Sequence, residues 1–175
     1  MSLLTTLAIR ETEIQQVVAL VQGTIEGKSE ALLKSGVYDE YKRIHQAYSQ
    51  LIPLDSTQEA LKRALFIQWF SLCEPAIYSG INEIDGHAEL TVLTWLDQLL
   101  SAGQADAELT CMLRYYATWE YVFQRPEFRH LLVLQAFVES TTSANGFPTA
   151  LPIQLAIMAE RGQMGAYWLI WGSSK

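Results

Sequence analysis

Glu120 raises the first chemical question. It stands in YYATWEYVFQRP, Tyr115 to Pro126, where most neighbours are aromatic or aliphatic. At about 100° per residue, Leu109, Met112, Leu113, Tyr116, Trp119 and Phe123 share one apolar helix face. Glu120 falls in that face, between Leu113 and Tyr116 in angle. A carboxylate placed there must find a partner or hold a proton. The pattern predicts a buried acid, either bridging helices or serving as an acid or base beside Tyr116 and Trp119; a helix that stops early would instead leave Glu120 exposed. Arg43, Arg63, Arg129, His45, His130, a tyrosine hydroxyl or an indole N–H are the partners the sequence offers.

A second constellation lies in YDEYKRIHQAY. Tyr38, Tyr41, His45 and Tyr48 fall on one helical stripe, which could line a polar, aromatic pocket in which His45 titrates near neutrality. The same stripe also suits a core boundary with hydroxyls reaching water.

Other chemistry is poorly supplied. Glu127-x-x-His130 is one of the two such motifs that a di-iron bundle needs, and no zinc spacing accompanies it. No phosphate-binding glycine loop, nucleophile elbow or dinucleotide fingerprint is present. Cys73 and Cys111 lie in apolar runs without the basic surroundings that activate a thiol. No cofactor, metal site or catalytic residue is therefore assigned.

Charge is distributed unevenly. The 175 residues carry a formal net charge of −7. Residues 74–120 hold eight acidic side chains against one basic, Arg114. Glu83, Asp85, Glu89, Asp97, Asp106 and Glu108 are the candidates for an acidic docking surface. Such a field repels nucleic acid and anionic membranes and favours a basic protein partner. Plain solubility is the competing use of the same charge.

The elements that must position these residues read as helix almost throughout. Ile14, Val17, Val18, Val21 and Ile25 predict an amphipathic stripe, and a short helix closed by Gly36 follows. Val37, Tyr41, Ile44, Tyr48 and Leu51 mark another helix, ended by Pro53. Ser56 and Glu59 form an apparent capping box before a run from Ala64 to Cys73 that is apolar nearly all round, predicting a central helix broken at Pro75. Residues 87–100 and 106–123 predict an antiparallel helical hairpin, with Asp106 capping its second arm. Pro126 opens a helix through 140. Residues 141–152 read as a long irregular segment, IQLAIMAE as a last regular helix, and AYWLIW as the one place where a strand could form.

These patterns predict an all-α protein, one domain over 1–175, built as an irregular antiparallel bundle of six to eight helices. No apolar run approaches the ~20 residues of a membrane helix. The N-terminus lacks the basic start and cleavage pattern of a signal peptide, and the two cysteines suit a reducing cytoplasm. The expected function is a non-enzymatic protein–protein interaction module, such as a small acidic inhibitor or immunity-type protein with a basic partner. A helical small-molecule binder or sensor near Glu120 is the alternative, and an enzyme using Glu120 a further one. The aromatic tail Tyr167–Trp171 either closes the core or supports a homo-oligomer.

Overall fold

Ser2 starts the first helix, its hydroxyl accepting the Thr5 amide at 3.1 Å; α1 then runs Leu3–Leu20. The computed structural model describes residues 1–143 and 155–173, with the side chains at 120, 142, 143, 155, 156, 172 and 173 outside that description. Val21 is extended and Gly23 takes φ +127°, so Ile25 belongs to a new helix, α2 (Ile25–Lys34). This break rotates the predicted stripe. Leu7, Glu11, Ile14 and Val18 face inward, while Val17 is 40% and Ile25 63% exposed. Gly36, at φ +75°, ends α2 and begins α3 (Val37–Leu51). There the predicted spacing holds: Val37, Tyr41, Ile44 and Tyr48 are buried.

The central helix is α4 (Glu59–Cys73), and every residue from Ala60 to Trp69 is buried. Its start departs from the predicted capping box. Gln58 takes a left-handed φ of 62°, and Asp55, not Ser56, accepts the amides of Thr57 (3.0 Å) and Ala60 (2.7 Å). Glu59 is thereby left free for other contacts. Glu74 is extended ahead of Pro75 and ends α4, as proline requires. The single turn α5 (Ala76–Ser79) and a loop lead to α6 (Gly86–Ser101), capped by Asp85. Asp106 caps α7 (Ala107–Tyr116), accepting the Leu109 amide at 2.7 Å.

The chain then departs from expectation again. α7 stops at Tyr116, and residues 120–122 form a 3-10 turn, so the wheel that carried Glu120 onto an α-helical face ends before reaching it. Pro126 starts another 3-10 turn at 126–128, and α8 begins only at Leu132, running to Ser143. Beyond Ser143 the predicted irregular segment lies outside the described residues. The single turn α9 (Leu155–Met158) and α10 (Gly162–Ser173) close the fold, and AYWLIW is helical.

The described residues are all-helical, with no strands. α4 lies against α3, α6, α7 and α10, and α1 against α3, α5 and α10. The main partners of α6 are α8, α3 and α4, which replaces the predicted α6–α7 hairpin. One continuous apolar core draws on helices from α1 to α10. Trp69 sits at its aromatic centre, stacked on Tyr116 (4.7 Å) and edge-on to Trp119, Tyr115 and Tyr167. This aromatic box accounts for the richness of YYATW and of the C-terminal tail.

Gly165 on α10 allows the close approach of α9. A Cβ there would lie 1.7 Å from the Met158 carbonyl oxygen. Backbone cannot yield as a side-chain tip can, so Gly165→Ala is expected to cost about 3 kcal/mol or more. Urea unfolding checks this, and an unchanged midpoint would show that α9 does not pack as described.

Candidate functional site

The most deeply buried acid among the described residues is Glu11. Its side chain is 1% exposed, on the inward stripe of α1 between Leu7 and Ile14. The Tyr48 hydroxyl donates to Glu11 Oε1 at 2.5 Å, and the Gln163 amide, in the first turn of α10, donates to Oε2 at 2.9 Å. Burial lifts the carboxyl from 4.5 to about 7, although both hydrogen bonds and the positive field of Arg63 act the other way. The side chain of Glu120, which the sequence singled out for this part, lies outside the described residues.

Beside Glu11 runs a network of buried charge. Arg161, between α9 and α10, is 3% exposed. It pairs with Glu59 of α4 through Nε at 2.7 Å and also through Nη2. Its Nη1 and Nη2 reach the two oxygens of Glu108 on α7 at 2.7 and 3.0 Å. Lys62 donates to Asp106 at 2.7 Å and to Glu108 at 2.8 Å. Arg63 donates to Glu59 at 2.6 Å, to the Leu4 carbonyl at 2.9 Å and to the Tyr48 hydroxyl at 3.4 Å. Burial pushes the Glu108 carboxyl up, but its bonds from Arg161 and Lys62 prevail and hold it below its usual range. Lys62, Arg63 and Arg161 are balanced by Glu59, Asp106 and Glu108; Glu11 is a fourth carboxylate, reached through Tyr48.

The stripe on α3 is core. Tyr41, His45 and Tyr48 are fully buried and Tyr38 nearly so. His45 Nε2 accepts from the Gln68 amide at 3.1 Å, and that amide also donates to the Glu89 carbonyl at 3.2 Å. Burial lowers the His45 pKa to about 4, so the ring is neutral near pH 7, contrary to the expected neutral-range titration. Tyr116 is also core, its hydroxyl accepting from Trp168 Nε1 at 3.2 Å. Trp119 is half-buried against Trp69 and Tyr115. The structure brings Tyr41 and Tyr48 together with Glu11, and places Tyr116 and Trp119 in the aromatic box.

Most of the acidic block serves internal contacts. Asp85 and Asp106 cap helices, and Asp97 accepts the Leu134 amide at the start of α8 (2.8 Å). Glu108 belongs to the buried network. Glu89 is buried and ion-paired to Arg125. Glu83 is exposed. Glu83 and Glu89 nevertheless meet in one cleft of about 400 Å³, between the end of α4, the start of α6 and the 126–128 turn. Glu127, Asn82 and Arg125 complete its polar lining; Leu72, Ile84, Leu90 and Phe128 make its apolar walls. The Arg125 guanidinium lies 4.3 Å from the centroid of the Phe128 ring and 3.5 Å from Glu127. A second cleft, of about 450 Å³, is lined by Pro53, Leu54, Trp95 and Leu99.

Arg161 and Glu11 are the residues that sequence reasoning missed. For Glu11 a signal existed: Leu7, Glu11, Ile14 and Val18 step by four, three and four along one face. Arg161 gave none, because its partners lie 53 and 102 residues away.

No known protein family matches the chain, and neither a characterised protein nor a solved structure is similar to it. Among the described residues, no group of three or more potential ligands is arranged to hold a metal ion, and no helix is long and apolar enough to cross a membrane.

The acidic residues are expected to separate by role in urea unfolding. Glu108→Gln, which leaves buried cations underpaired, should cost about 3 kcal/mol. Asp97→Ala, which removes the acceptor at the start of α8, should cost ~1 kcal/mol. Glu83→Gln should stay within ~0.5 kcal/mol of the parent. Equal effects at all three positions would contradict the division into internal and surface acids.

Proposed function

We propose that the chain is a non-enzymatic interaction module that captures a basic segment of a partner protein, as a small acidic inhibitor would. The observation that carries this reading is the cleft in which Glu83, Glu89 and Glu127 face a single cation, Arg125, between apolar walls. A lysine or arginine side chain entering it would gain two further carboxylates, with its aliphatic stem against Leu72 and Leu90. The net charge of −7 supports the same reading by raising the local concentration of cationic partners. A pocket for a small molecule among Tyr38, Tyr41, His45, Tyr48 and Tyr116 is less well supported, since those side chains are packed into the core.

A fluorescent arginine-rich peptide provides the test. Binding should weaken roughly tenfold as salt rises from low to moderately high concentration, and again in Glu83→Gln/Glu127→Gln at fixed salt. Binding that ignores both salt and the double substitution would sink the proposal.

A further inference from the structure

Glu11 is chemically the odd member of the buried polar system. The network contains three cations and three carboxylates in direct contact. Among the described residues, no cation is in salt-bridge contact with Glu11. It is faced from α3 by Tyr41 and Tyr48, from α4 by Arg63 and Glu59, and from α10 by Gly162 and the Gln163 amide. On α1 itself the neighbouring Arg10 turns outward to Glu40. An ionised Glu11 is therefore a buried charge with no cation in direct contact, and a proton on it removes that desolvation cost.

The same carboxyl is the seat of α10. Gly162 and Gln163 rest directly on it, and a Cβ at Gly162 would lie 2.6 Å from Oε2. Gln163 is held further by a bond from its side-chain amide to the Ser79 carbonyl, at 2.9 Å. α10 carries Trp168 into the core and Tyr167 and Trp171 into the aromatic box. Whatever changes the charge of Glu11 thus acts at the point where α10 meets α1 and α3.

We propose that Glu11 is a proton-operated latch for the C-terminal helix: protonated, it holds α10 against α1 and α3, and ionised, it lets α10 loosen. The carboxyl titrates at about 7 when folded and has an ordinary value of 4.5. The folded state therefore binds the proton more tightly than the unfolded chain. Its stabilising effect is full below the unfolded value of 4.5 and is lost as pH rises through about 7. The latch therefore operates between about pH 5 and 7 and is fully released above that. His45 stays neutral throughout that range, its pKa lying near 4.

The test is amide hydrogen exchange of the intact chain, expressed as protection factors to remove the intrinsic pH dependence of exchange. In the parent, protection along α10 should fall roughly tenfold between pH 5.5 and 6.5 and level off above about pH 7, while α3 and α6 stay level. In Glu11→Gln the α10 protection should be flat over that range. The same pH dependence in parent and variant would overturn the proposal. Tyr48→Phe provides an independent arm should Glu11→Gln fold poorly. Losing the hydroxyl that favours the ionised form should move the pH at which α10 protection levels off upward, and an unmoved level-off point would count equally against the latch.

Discussion

The clasp of Arg161 between Glu59 and Glu108 is the contact on which the architecture depends. It joins the segment between α9 and α10 to the start of α4 and to the first turn of α7. Lys62 and Arg63 extend it along α4, one towards Asp106 at the α7 cap, the other towards α1 and Tyr48. Helices remote in sequence thus meet around one set of charges. Such a set is costly to desolvate, and it is tolerated because nearly every lone pair and proton in it is used. Its effect is specificity: α10 has one register in which Arg161 finds both carboxylates and Gln163 meets Glu11.

The aromatic box and the charge network are two sides of one arrangement. Trp69 and Tyr116 are stacked beneath α10, and Trp168 donates from α10 to Tyr116. The ion network lies about two helical turns from Trp69 on α4, at Lys62 and Arg63. Apolar packing supplies most of the driving force. The charged groups decide where α10 sits. The acidic cleft lies on another part of the molecule, at the far end of α4, and meets the interior through Phe128, a core residue, and through Glu89, whose carbonyl accepts from Gln68. This separation lets a surface cleft vary in charge without disturbing the core.

How much of this was legible depends on the range of the interaction. The helix over 37–51 followed from its spacing, as did the central burial of α4 and the stops at Pro53 and Pro75, because these are local effects. The wheel through Glu120 failed because α7 ends at Tyr116, and nothing local marks that end. The capping box at Ser56 failed because Asp55 took over the amides, which left Glu59 for Arg161. Asp85, Asp97, Asp106 and Glu108 read as a charged surface because charge alone does not reveal an internal partner. Yet Lys62 and Arg63 stand within a helix that is otherwise buried, and a helix buried all round has to bury its cations as well. Two of the three cations could thus be placed from the sequence, and only folding showed Arg161 and the carboxylates that meet them.

A double-mutant cycle on Arg161→Met and Glu59→Gln, followed by urea unfolding, tests this account most directly. If Arg161 clasps Glu59 in the buried core, the two changes should be strongly non-additive, with a coupling of roughly 2 kcal/mol or more. Additivity within ~0.5 kcal/mol would mean that the two side chains do not meet in solution, and the placement of α10 would have to be abandoned.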